Sequence, residues 1–178
     1  MYRMIVDELG GPSALKRQDL ADPEPGPGEV VVDVKAIGCN FFDTLITRGK
    51  YQVQPELPFA PGAEAAGVVE AIGTGVSHVA PGDRVTVLLS YGAFASKLSA
   101  PAARVFPMAE GMPFEAAAAL GVVYQTSYMA LGPRARLQPG ETLLVHAAAG
   151  GVGLAAVQIG VALGARVIGT GGTPDKLD

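Results

Sequence analysis

The sequence predicts an α/β protein: a β-rich first portion, built as a small, partly open β-barrel, followed by the first βαβ unit of a doubly wound parallel sheet. Three observations carry this. Up to residue 112 the chain breaks into short runs, several rich in β-branched residues, separated by Gly, Pro and Asp. Near Pro113 the composition turns to helix-prone alanine. From Thr142 to Thr170 the order is strand, glycine turn, helix, strand, within about 30 residues, the length of a βαβ unit.

Tyr2–Val6 reads as a short strand and Gly10-Gly11-Pro12 as a turn, from which Leu15–Leu20 pairs back. Asp22–Gly28 contains three prolines and two glycines, which neither a helix nor a central strand tolerates. Glu29–Ile37 follows with Val30-Val31-Val32-Asp33-Val34, a strand composition. Asn40 stands where it can cap a short helix over Phe41–Thr47, with Asp43 in the first turn. Gly67–Ile72 and Asp83–Leu89 are strands, and Pro81-Gly82-Asp83-Arg84 is turn chemistry. Gly92–Leu98 and Arg104–Phe106 complete the barrel.

Phe114–Leu120 and Val123–Leu131 read as helical, and Pro139-Gly140-Glu141 as a turn. Thr142–His146 is expected as a buried strand and Gly151–Leu163 as a buried helix, with Val152, Ala155, Ala156, Ile159 and Leu163 at helical spacing. Arg166–Thr170 is the second parallel strand. Two domains are expected, 1–123 and 124–178.

The chain has 178 residues, 49% hydrophobic and 17% charged, enough apolar surface for a packed core rather than a disordered state. Thirteen basic against 17 acidic residues leave a net charge of −4, so there is no basic field for wrapping nucleic acid. A single cysteine excludes an intramolecular disulfide and a Cys-rich zinc site, and fits a reducing, cytoplasmic setting. Met1–Glu8 lacks the apolar core and cleavage site of a signal peptide. Ala147–Ala165 has only Gln158 as a polar residue, but with five glycines and seven alanines it lacks the strongly apolar character of a membrane span.

The turn Ala147-Ala148-Ala149-Gly150-Gly151-Val152-Gly153 aligns as G-x-G-x-x-G through Ala148, Gly150 and Gly153, with alanine in the first place. Gly150 lets backbone approach a pyrophosphate, and Gly153 lets helix and strand pack closely. The phosphates then meet the N–H groups of Gly151 and Val152. NAD sites place an acid at the end of the next strand to hold the ribose 2′-hydroxyl. Here that end reads Thr170-Gly171-Gly172-Thr173, with no acid before Asp175 and with Lys176 beside it. This pattern favours a 2′-phosphate, hence NADPH as the cofactor.

Four motifs occur in order: Gly38-Cys39-Asn40-Phe41-Phe42-Asp43, Pro61-Gly62-Ala63-Glu64-Ala65-Ala66-Gly67, Pro81-Gly82-Asp83-Arg84-Val85, and His146 through Gly153. With them the chain resembles the medium-chain dehydrogenase/reductase superfamily, and within it the zinc-independent, zeta-crystallin-like NADPH:quinone oxidoreductases. The resemblance covers the whole chain but about the first half of a family member. It implies a GroES-like substrate domain, then the start of a Rossmann domain. Zinc members carry Cys where Asn40 stands and His where Ala63 stands; Asn and Ala do not supply the thiolate or imidazole that zinc prefers. No metal is therefore expected.

The resemblance implies that Asn40, Asp43 and Tyr51 line the substrate and cofactor cleft, helix capping being the alternative for the first two and an ordinary half-buried aromatic for the third. Thr126 and Tyr128 match a T-x-Y pattern near the nicotinamide ring, ordinary helix packing being their alternative. The arginine before Tyr51 is shifted by one, to Arg48, and Phe41 stands where the family often has proline. Cys39 and His146 are expected as buried core residues, and His78 as a solvated loop residue. The implied activity is hydride transfer from NADPH to a quinone or similar conjugated carbonyl. The alternatives are an enoyl or alkenal reductase with the same cofactor, and a noncatalytic NADPH-binding protein or inactive fragment. The chain is expected to be truncated, by itself neither to turn over nor to hold NADPH tightly, and to form a homo-oligomer, most simply a dimer, by burying its open parallel sheet.

Overall fold

The computed structural model of the protein describes residues 1–176. The chain folds into two compact units, Met1–Gly121 and Val122–Asp178.

In the first unit β1 (Tyr2–Ile5) and β2 (Lys16–Asp19) form an antiparallel ribbon. The main sheet contains β3 (Glu29–Gly38), β4 (Glu64–Ile72), β5 (Arg84–Leu88), β6 (Lys97–Pro101) and β7 (Val105–Pro107), in the order β6-β3-β4-β5-β7. Single bridges Arg3–Ala95 and Val6–Phe59 curl the ribbon onto its rim. This is the partly open barrel expected from the spacing of the strands.

Strand alternation divides the apolar residues between two faces. Val30, Val32, Ala65, Val69, Val85, Val87 and Leu98 meet inside, while Ala66, next to Ala65, packs outside against Ala117 and Ala118. Those alanines belong to α2 (Phe114–Ala118). The Arg84 guanidinium stands 4.5 Å above the Phe114 ring and ties this helix to the sheet.

One predicted strand is displaced. Gly92–Leu98 is irregular as far as Ser96, and β6 begins at Lys97. The N–H groups of Gly92 and Phe94 donate to Pro61 O and that of Ala93 to Gly62 O, so these donors serve a loop and leave no ladder to extend.

The second unit takes in most of α3 (Gly121–Met129), which runs on into a π-helical turn, Ala130–Arg134. The parallel pair β8 (Thr142–Val145) and β9 (Arg166–Gly169) is joined by α4 (Gly151–Ala162). Its packing departs from expectation. Only Gly153, Ala155 and Gly160 of α4 are buried, and only Val145 of β8. Leu143 and Val167 face α4 at Gly160, so by alternation Leu144 and Ile168 face away from it, 53% and 42% exposed. α4 covers one face of a two-stranded sheet, which is why strand and helix are less buried than their composition predicted. No helix among the described residues is long and apolar enough to cross a membrane.

Candidate nucleotide site and the Asn40 cluster

The glycine turn lies between β8 and α4. Ala147 takes a left-handed backbone conformation, φ 53°, costly for a residue with a Cβ. Neighbouring bonds hold it: Gly150 N–H donates to Ala147 O (2.9 Å) and Ala148 N–H to Thr170 O (2.9 Å). Gly153 has no room for a side chain, since a Cβ there would lie 2.3 Å from Ala147 O and 2.8 Å from Ala148 Cα. The sequence assigned Gly153 this close packing. Among the described residues, the first N–H groups of α4, on Gly151 and Val152, meet no backbone acceptor, as at any helix start. Ser127, 2% exposed on α3, donates to Val152 O (2.8 Å) and fixes the first turn of α4.

A cavity of about 300 Å³ opens here, lined by Ala147, Ala149, Gly150, Gly171, Gly172 and Lys176. Among the described residues, Lys176 is the only charged one that lines it. Glycine backbone, helix N–H groups and one ammonium fit an anionic phosphate ligand. Of the expected cofactor residues, Gly150, Gly171 and Lys176 line this cavity, with Ala148, Gly151, Val152 and Gly153 in the adjoining turn. Thr170 is engaged in closing it, by the Ala148 bond and by its Oγ1, 2.9 Å from His146 Nδ1. Thr126 and Tyr128 do not line the cavity: Thr126 is exposed and donates to Val122 O (2.6 Å), and Tyr128 is 55% exposed.

Of the two histidines, His146 differs from expectation and His78 is exposed as expected. His146 is exposed rather than in the core, because it lies at the open end of β8, where it meets Thr170. His78 is exposed but anchored, its Nε2 3.1 Å from Val105 O.

In the first unit a second cluster forms where β3 runs into α1 (Phe41–Ile46). Asp43 is buried; its Oδ2 accepts from Asn40 N–H (2.8 Å) and its Oδ1 from Gly62 N–H (3.1 Å). It thus caps α1 and ties it to the Pro61–Gly62 loop. The Asn40 side chain reaches Glu64, donating from Nδ2 to Oε1 (2.7 Å). Tyr51 is half-buried beside Val6, Ile46 and Phe59, with its ring stacked on Phe42 at 5.2 Å. Phe41 projects, 79% exposed. Cys39 is exposed, not buried: the alternation that buries Gly38 turns Cys39 outward, into an apolar cavity with Met4, Leu15 and Phe94. Partial desolvation, then the Asp43 and Glu64 charges, push its thiol pKa up and hold it protonated.

Glu64 and Ser127 were missed from sequence. Glu64 is the only charge in the Pro61–Gly67 run, and a lone acid in an apolar strand was the available signal. Ser127 stands between the two expected residues of the T-x-Y pair and carried none.

Burial raises the Asp43 pKa above the ordinary 3.8, against the lowering effect of its two backbone bonds. A raised folded-state pKa contributes stability that is full below the ordinary value and is lost as pH rises through the folded one. Denaturation midpoints of the wild-type chain and Asp43→Asn are therefore expected to differ with pH, the wild type gaining relative to the variant as pH falls through that window. Parallel profiles would contradict this.

The comparisons agree with this geometry. Residues 26–110 match the alcohol dehydrogenase GroES-like domain. The chain is 43% identical over 177 residues to human quinone oxidoreductase, covering 98% of this chain and 54% of that protein. It is 39% identical to the Escherichia coli quinone oxidoreductase solved in complex with NADPH, with a TM-score of 0.90 over 99% of this chain and 54% of that one. Over nearly its whole length the chain is thus similar to quinone oxidoreductases, and over residues 26–110 to the GroES-like domain of alcohol dehydrogenases. It is also 46% identical over 158 residues to the human synaptic vesicle membrane protein VAT-1 homolog, covering 88% of this chain and 40% of that protein. The chain thus spans about half the length of the quinone oxidoreductases it matches. Its first unit is GroES-like and its second carries the opening βαβ of a Rossmann sheet.

Proposed function

We propose that this protein is an NADPH-dependent oxidoreductase that reduces a quinone or similar conjugated carbonyl without zinc, with residues 1–123 as the substrate domain and 124–178 as the start of the nucleotide domain. The observation that carries this reading is the glycine-lined cavity in which, among the described residues, Lys176 is the one charged side chain. NADPH, when bound, supplies the hydride. The chain's own residues bind and orient: the N–H groups of Gly151 and Val152 receive pyrophosphate oxygens, Gly150 and Gly153 keep that surface free of side chains, and Lys176 faces the 2′-phosphate. Ala148, Thr170 and Gly171 shape the same wall. Thr126 and Tyr128 serve the nicotinamide end, and Asn40, Asp43 and Tyr51 the acceptor end. Absence of zinc rests on ligand chemistry: Asn40 is committed to Glu64 and Ala63 has no donor atom. We place the protein in the cytoplasm, as a homodimer.

Affinity of an intact parent chain for the two reduced nucleotides tests the reading. NADPH is expected to bind more tightly than NADH, and Lys176→Ala to weaken NADPH about fivefold, the equivalent of about 1 kcal/mol for an exposed charge pair, with NADH unchanged. Equal losses for both nucleotides would overturn the role of Lys176, and no binding of either would overturn the cofactor.

A further inference from the structure

We infer that Glu64 is a positioning residue that sets which way round the Asn40 amide stands, so that the second Nδ2 hydrogen of Asn40 is the donor offered to the acceptor's carbonyl oxygen. This last step rests on the function proposed above; the pairing itself does not.

Glu64 opens β4 and is 3% exposed, directly opposite Gly38 in the sheet register. That glycine makes the slot. A Cβ at Gly38 would lie 2.3 Å from Glu64 Oε1 and 2.4 Å from its Cγ, and one at Gly121 would lie 3.0 Å from Oε2. Two positions without side chains thus accommodate one buried carboxylate, and that carboxylate meets Asn40 Nδ2 at 2.7 Å. The amide presents its nitrogen, which only donates, and not its oxygen to the Glu64 carboxyl oxygen. A free asparagine amide turns over at little cost; this one is held in a single orientation. Its backbone is held too, by the bond from Asn40 N–H to Asp43 Oδ2. One Nδ2 hydrogen is consumed by Glu64, and the other belongs to a half-buried residue at the start of α1. A preoriented donor of this kind stabilises charge developing on a carbonyl oxygen as hydride arrives at the conjugated system.

Asn40 is the only asparagine in the sequence, so the chain labelled with side-chain 15N-asparagine has one NH2 pair to observe. In the wild type, one proton of the pair is expected downfield and protected from solvent exchange. Glu64→Ala should return both protons to free-amide positions, and Glu64→Gln should move the protected proton. Two free-amide protons in the wild type would overturn the proposal without any variant being made. In NADPH:quinone assays of an intact parent chain, Asn40→Ala and Glu64→Gln are each expected to lower kcat about tenfold with KM for the quinone nearly unchanged. The double variant should lose no more than the worse single one. Additive losses that follow stability would show a merely structural glutamate and overturn the positioning role. A wild-type parent chain that neither binds nor oxidises NADPH would overturn the cofactor reading instead, with the amide spectrum still deciding the pairing.

Discussion

Gly153→Ala is expected to destabilise the second unit by roughly 3 kcal/mol, the upper range for forcing volume into a packed site, and to abolish nucleotide binding there. The inserted Cβ would meet backbone atoms, Ala147 O at 2.3 Å and Ala148 Cα at 2.8 Å. Backbone cannot rotate aside as a flexible side chain can, so either α4 must lift from β8 or the turn must open. Both movements displace the N–H groups at the start of α4 and break the Gly150-to-Ala147 bond. Gly172→Ala is the control: it lies on the same cavity, yet a Cβ there has nothing within 4 Å. Urea denaturation of both variants, with NADPH titration, separates them. Equal stability for Gly153→Ala and the wild type would contradict the packing argument.

Asp43→Ala is expected to destabilise the first unit by about 3 kcal/mol, because each hydrogen bond to a charged group is worth roughly 1.5–3 kcal/mol and relief of the buried charge offsets only part of their loss. The variant leaves Asn40 N–H and Gly62 N–H without their acceptor. It frees both the start of α1 and the Pro61–Gly62 loop, which in turn holds Gly92, Ala93 and Phe94. Asp43→Asn keeps one acceptor oxygen but turns an NH2 toward the other N–H, so a loss of roughly half that size is expected. Equilibrium denaturation at neutral pH measures both. A change within about 0.5 kcal/mol for Asp43→Ala, ordinary for a surface substitution, would show that the two bonds carry no net weight.

Much of the fold could be read from local signals. The valine run of β3, the proline-rich breaker before it and the glycine turn after β8 each act through near neighbours, and each was found where expected. β6 was displaced because the residues before it are held by a loop thirty positions earlier, a long-range constraint without local trace. The glycine turn was legible for the same local reason: Gly153 excludes a side chain because of residues five and six positions back. The Asn40 cluster was half legible. Asp43 acts within its own helix turn, whereas Asn40 and Glu64 are brought together by the pairing of β3 with β4. Burial was judged worst. The composition of β8 and α4 is that of an interior, but composition records what a segment can bury and not how many neighbours it has.

The bare side of the β8–β9 pair has a consequence for handling the protein. Leu144 and Ile168 lie at paired positions on that side, within Thr142–Val145 and Arg166–Gly169, short β-prone windows that contain no proline and a single charge between them. Windows of this kind seed intermolecular cross-β association when they are left uncovered. With a net charge of only −4 spread over 178 residues, long-range repulsion does little to keep two such surfaces apart, least of all in high salt. Colloidal behaviour of the purified chain should therefore be governed by its concentration and by this one apolar strip. A lysine in place of Leu144 or Ile168 is the change that would blunt the strip without touching the glycine turn on the other side of the sheet.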